Sequence, residues 1–149
     1  MTNSYSLEGQ NCLITGAAGN LGEQHAVAML QEGCDVVITD VHDTKLKHLT
    51  DKLVEMFPDR KIISYAMDVT EKKQICEIAA LIHERKINID ILINNAAVNP
   101  QVSNSDEDLS HSSRLENFDA DQWDVEVNVG LKGMFLCIQV CGSAMASRN

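Results

Sequence analysis

The chain has 149 residues, 44% of them hydrophobic and 23% charged, with a formal net charge of −10. That is one domain's worth of chain in an ordinary globular balance, long enough for a real core. Its 22 acidic against 12 basic residues oppose general binding to nucleic acid or to anionic membranes, although a local nest of amides can still hold a phosphate. No secretory signal is expected from the opening residues, and no stretch is read as reaching the ~20 apolar residues of a membrane span.

Strand and helix patterns alternate. Asn11 to Thr15 predicts a first strand, and Leu21 to Glu32 a first helix closed by Gly33. Between them runs TGAAGNLG, Thr15 to Gly22. A glycine-rich turn from a buried strand into a helix start aims backbone N–H groups at one spot. The positive end of the helix dipole lies behind them. Gly16, Gly19, Asn20, Leu21 and Gly22 are therefore candidate cofactor-binding residues for a pyrophosphate. Gly16 permits the tight turn and Gly22 a close helix approach, while Asn20 is a side chain that tolerates a left-handed backbone.

Asp35 to Asp40 is a β-branched run, the second strand, ending on an acid. Asp40 stands 18 residues past Gly22. A carboxylate there can accept hydrogen bonds from an adenosine ribose and would repel a 2′-phosphate, which favours NAD over NADP. Val41 would flank the adenine. Asp43 to Phe57 carries Leu46, Leu49 and Leu53 at helical spacing and stops at Pro58. Lys61 to Met67 is the third strand. Asp68 and Val69 end it, with the acid placed for an adenine amino group. Thr70 is the expected cap of a third helix striped by Ile75, Ile78, Ala79 and Ile82.

Ile89 to Asn94 is the fourth strand, followed by small residues. Asn95, Ala96 and Ala97 let a cofactor pass over the strand edge, and Asn94 is expected to tie strand to strand through its amide. Residues 98–119 form a long polar loop, of a length usually functional or mobile. Ala120 to Ser147 then reads as a long helix, apolar on most sides, expected to pack on the sheet and on another subunit or on missing chain. Continuous apolar strands between amphipathic helices imply one α/β domain with a doubly wound parallel sheet.

The five cysteines contain no CxxC pair and read as reduced, buried thiols of a cytoplasmic protein. Cys137 and Cys141 are four apart without further ligands nearby. The five histidines show no HxH or HxxxH spacing, so no metal site is expected.

Taken in order, TGAAGNLG, Asp40, Asp68-Val69, Asn94-Asn95-Ala96-Ala97 and Trp123 with Asn128 resemble the N-terminal portion of the short-chain dehydrogenase/reductase family, over essentially the whole chain. The family's TGxxxGxG carries Asn20 here in place of its middle glycine, and its NNAG reads NNAA. The polar loop, with Ser112-Ser113-Arg114-Leu115-Glu116-Asn117-Phe118, also resembles a bacterial subgroup that modifies flagellin and surface glycans, which implies a sugar or nucleotide-sugar substrate.

The resemblance implies a Rossmann-type sheet of order 3-2-1-4 that continues beyond the fourth strand. It also implies hydride transfer between NAD and a small-molecule alcohol or carbonyl, in a cytoplasmic homo-oligomer joined through the long helix 120–147. Of the family's catalytic asparagine, serine, tyrosine and lysine, the pattern Trp123-x4-Asn128-x2-Leu131 matches the first. Asn128 would hold a water in a proton relay. Tyr-x3-Lys has no match, since four residues beyond Tyr5 and Tyr65 stand Gly9 and Val69. The 149 residues alone are thus expected to lack appreciable dehydrogenase activity, and the fourth strand to present an open apolar edge that promotes association. Two other readings remain open here: a non-catalytic dinucleotide-binding module or decayed enzyme, and a methyltransferase-like adenosyl-binding domain, against which NNAA and the Asn128 helix argue.

Overall fold

Four parallel strands hydrogen-bond in the order β3-β2-β1-β4 in the computed structural model, which describes residues 6–98 and 114–148. They are β1 (Asn11–Thr15), β2 (Asp35–Asp40), β3 (Ile62–Ala66) and β4 (Ile91–Ile93). Crossover helices α1 (Asn20–Gln31), α2 (Asp43–Met56) and α3 (Lys72–Glu84) connect them, and α4 (Ala120–Ala146) follows. Register aligns Cys12 with Val36 on one side and with Ile91 on the other. The expected doubly wound α/β sheet of order 3-2-1-4 is what forms.

Strand periodicity divides the apolar side chains between two layers. Cys12, Ile14, Val36 and Ile38 pack with Ala26 and Leu30 of α1 and with Leu46, Leu49 and Leu53 of α2. Leu13 and Val37 pack with Ile75, Ile78 and Ile82 of α3 and with Leu136, Cys137 and Cys141 of α4. The inner strands β1 and β2 are buried almost throughout, whereas β3 and β4 at the two edges are half-buried. Gly33, just past α1, adopts φ +93°, the left-handed position that ends a helix.

Several local expectations change. Thr70 does not cap α3, which starts at Lys72 after Glu71 without a side-chain cap. The Thr70 hydroxyl donates instead to Asp68 Oδ1 at 2.7 Å. The fourth strand is shorter than its apolar run, because beyond Ile93 the backbone turns to meet the β1 end. Most of the long loop, residues 99–113, lies outside the described residues. After it Leu115–Asn117 makes a short 3-10 turn, and the Asp119 side chain caps α4 by accepting from Asp121 N. Cys12, Cys34, Cys137 and Cys141 are free and buried as expected, but Cys76 is exposed.

The long helix departs most from its reading. By length and composition α4 is apolar enough to cross a membrane, with mean hydropathy 1.5 over an 18-residue window, contrary to the expectation that no stretch reaches that mark. Of its residues only Gly133, Leu136, Cys137 and Cys141 are buried, against α3 and the sheet, so the helix expected to be covered on most sides is covered on one. Two stretches, Asn128–Gly133 and Ile138–Gly142, widen to π-helical turns.

Candidate cofactor site

The carboxyl ends of the strands gather every predicted binding residue except those of α4, and the glycine turn is their centre. Gly16 leaves β1 at φ +62°, and a Cβ on it would lie 2.7 Å from Ala96 Cα. Only glycine fits there, for backbone conformation and for space. A Cβ on Gly22 would come within 2.3 Å of Gly16 O, so α1 is drawn onto the turn itself. Gly19 is different: its nearest neighbour would be 3.5 Å away, and Gly19, Asn20 and Leu21 are all exposed. α1 begins on Gly19 with no side-chain cap. Its first amides and the positive helix end therefore meet open space beside the turn, as a phosphate cradle requires. Asn20 is simply the first helical residue, so the left-handed backbone that it tolerates is not used.

Asp40, at the end of β2, is buried. Its Oδ2 accepts from Ala18 N at 3.0 Å, and its Oδ1 from His42 N at 2.9 Å. His42 Nδ1 lies 3.1 Å from the same Oδ1. The strand-end acid thus fastens the glycine turn while keeping acceptor capacity, because a carboxylate offers about four lone-pair sites. Val41 beside it is 61% exposed, an apolar wall at the edge. Asp68 Oδ1 accepts from Thr70 N at 2.8 Å and from its hydroxyl, which turns the chain after β3. The Val69 side chain points away from this edge into the core, where a Cβ on Gly133 would lie 2.7 Å from Val69 Cγ2.

The strand tie belongs to Asn95, not to Asn94. Asn95 Nδ2 donates to Thr15 O at 3.1 Å and to Gly16 O at 2.9 Å. Thr15 Oγ1 in turn accepts from the backbone N–H groups of Asn95 and Ala96, both at 3.1 Å. Asn94 Oδ1 is buried with no partner. It is the second residue past β4, not the first, whose amide reaches the end of β1. Asn95 therefore shapes the cradle with its side chain, while Ala96 and the exposed Ala97 carry the smooth edge beyond.

Asn128 opens the first π-turn of α4 and borders a shallow groove of about 420 Å³ with Asp124, Val125, Val127 and Lys132. A second cavity, about 500 Å³, lies at the amino end of the sheet between Glu8, Asp90 and Arg148, away from the glycine turn. Among the described residues no group of three His, Cys, Asp or Glu side chains could hold a metal. Sequence reasoning missed His42. The available signal was a ring two residues beyond a strand-end acid, within reach of its carboxylate.

A model of the short chain dehydrogenase family matches residues 10–149. The chain is 33% identical over 134 residues to the 3-oxoacyl-[acyl-carrier-protein] reductase of Thermotoga maritima, covering 90% of this chain and 49% of that protein. It is 30% identical over 146 residues to the 2-dehydro-3-deoxy-D-gluconate 5-dehydrogenase of Bacillus subtilis, covering 98% and 52%. It thus spans about half the length of these relatives. A gluconate 5-dehydrogenase from Burkholderia cenocepacia, solved with NADP and tartrate, is similar with a TM-score of 0.80 at 26% identity, over 97% of this chain and 51% of that one. The cradle on β1, the strand-end acid and the Asn95 latch thus sit in a fold and a sequence of one lineage: the chain belongs to the short-chain dehydrogenase/reductase family of oxidoreductases.

Proposed function

We propose that this chain holds NAD along the carboxyl edge of its sheet, as the cofactor-binding part of an oxidoreductase that moves hydride to or from a small-molecule alcohol or carbonyl. The observation that carries the reading is the buried Asp40 carboxylate, bonded to the glycine turn where an adenosine ribose would meet it. Gly16, Gly19, Asn20, Leu21 and Gly22 cradle the pyrophosphate. Val41 borders the adenine, and Asp68 and the Val69 backbone close its far side. Asn95, Ala96 and Ala97 support the nicotinamide half. Bound NAD supplies or accepts the hydride. Asn128 holds a water for proton transfer.

The two gluconate-type relatives support a hydroxyl-rich sugar or sugar acid as substrate class, the same direction as the glycan-modification resemblance. The 149 residues contain no Tyr-x3-Lys, so on their own they bind the cofactor without appreciable turnover. Four buried free thiols fit a cytoplasmic setting. The exposed Leu131, Phe135 and Ile138 of α4 fit a second copy of the chain.

Asp40 favours NAD, whereas the Burkholderia relative was solved with NADP. Thermal shifts with NAD, NADP and S-adenosylmethionine test the reading. The largest shift is expected with NAD. A larger one with NADP overturns the preference, and a shift with S-adenosylmethionine alone overturns the dinucleotide reading.

A further inference from the structure

We infer that His42 sets how strictly the site refuses NADP: its imidazole, once protonated, offsets the Asp40 carboxylate and admits a 2′-phosphate. The inference rests on the cofactor reading above and deepens it. Asp40 is held by three donors from the two loops that flank the ribose position. These are Ala18 N on Oδ2 at 3.0 Å, and on Oδ1 His42 N at 2.9 Å and His42 Nδ1 at 3.1 Å. So fastened, the acid does not swing aside for a 2′-phosphate. Relief must come from added positive charge.

The sequence offers no lysine or arginine at the strand end, where Val41, His42 and Asp43 follow Asp40. A carboxylate only accepts, so Nδ1 carries the proton and Nε2 is the nitrogen that gains one. The His42 side chain is 63% exposed while that of Asp40 is 8% exposed. The ring therefore stands on the solvent side of the acid. A second proton adds both a charge and a donor, without breaking the Nδ1 contact.

The other charged side chains around this point are lysines and carboxylates, of types that keep one charge between about pH 5 and pH 8. On α2, Lys47 Nζ is 2.6 Å from Asp43 Oδ2, so each offsets the other, and Lys45 is exposed in the same turn. On α1, Glu23 is paired with Lys52 of α2 at 2.7 Å. Asp68, at the end of β3, is acidic and engaged by Thr70. The turn from Gly16 to Gly19 has no ionisable side chain. Histidine is the side-chain type among these whose charge changes between about pH 5 and pH 8.

The test measures dissociation constants for NAD and NADP by calorimetry at about pH 5.5 and about pH 8, bracketing the imidazole range. It uses the native protein, His42→Gln and His42→Arg. In the native protein the NADP-to-NAD ratio of dissociation constants is expected to be lower at the acidic pH by about fivefold, the reach of one exposed charge pair. The 2′-phosphate titrates near pH ~6 itself, and His42→Gln reports that contribution alone. His42→Gln should keep only the part of the drop that the 2′-phosphate itself causes, and His42→Arg should keep a low ratio at both pH values. Should one variant fail to fold, as read by its melting curve, the other carries the comparison. NAD binding with a ratio that neither substitution moves overturns the role of His42 and leaves the cofactor reading standing. A native protein that binds neither nucleotide at either pH overturns both.

Discussion

The two faces of the sheet are finished differently. On the α1–α2 side Cys12, Ile14, Ile38 and Leu53 are fully buried, and the helices close over the strands. On the α3–α4 side Leu13 and Val37 are equally buried, yet α4 keeps Trp123, Leu131, Phe135 and Ile138 between 48% and 59% exposed. One face completes its core from its own chain. The other turns an apolar surface outward. The closed core and the exposed apolar surface thus lie on opposite sides of one sheet, with the glycine turn at the edge between them.

The largest test of that contrast is Leu53→Ala, expected to cost about 2–5 kcal/mol in urea unfolding because it empties a closed core. Phe135→Ala on α4 should stay within about 0.5 kcal/mol for an isolated subunit. Equal losses would erase the distinction. At the edge between the faces, Gly16→Ala forces a left-handed backbone and a 2.7 Å approach to Ala96 Cα. It should cost about 1–3 kcal/mol and abolish the thermal shift with NAD. Asn95→Ala frees the Thr15 and Gly16 carbonyls and should cost about 1–3 kcal/mol. A full NAD shift in that variant would show that the cradle stands without its latch.

Alkaline pH probes both faces at once. Burial, with Cys34 a smaller cause, pushes the Cys12 thiol up to about 12, and burial pushes Cys34 up to about 11. Across the sheet, burial with a smaller contribution from Cys141 pushes Cys137 up to about 12. These thiols stay protonated in the folded chain but ionise near pH ~8.5 when unfolded. Their contribution is complete below that pH and is lost as pH rises through the folded values. Tm should therefore fall above about pH 9, less in Cys12→Ala than in the native chain. A Tm independent of pH from 9 to about 10.5 would refute the burial argument. The smallest change in stability, with the clearest change in mass, belongs to the double variant Leu131→Glu and Phe135→Glu. Light scattering should report its shift to monomer, and an unchanged mass would remove α4 as the contact.

Most of the fold was legible because its signals are local. Strand boundaries in β1 and β2 follow β-branched runs between turns, and Gly33 and Pro58 stop helices by their own backbone chemistry. The glycine turn and Asp40 were legible for the same reason. What misled were places where the fold, and not the residue type, selects a side chain's partner. Asn94 and Asn95 are identical as letters, and only the pleat beside Thr15 decides which one reaches it. Thr70 looked like a helix cap until Asp68, two residues earlier, took its hydroxyl. His42 looked like any surface histidine because its partner's orientation is set by Ala18, across the sheet edge.

The Asn95 latch also bears on the order in which the chain acquires its shape. Its partners Thr15 and Gly16 are 80 and 79 residues earlier. Bringing together groups that far apart costs more chain entropy than closing a short loop. During synthesis the glycine turn can fold onto α1 early, but its carbonyls find their side-chain donor only once β4 has emerged and docked. A dinucleotide would then meet a finished cradle only near the end of folding. It would act as a clamp on the assembled sheet and not as a template for its first half.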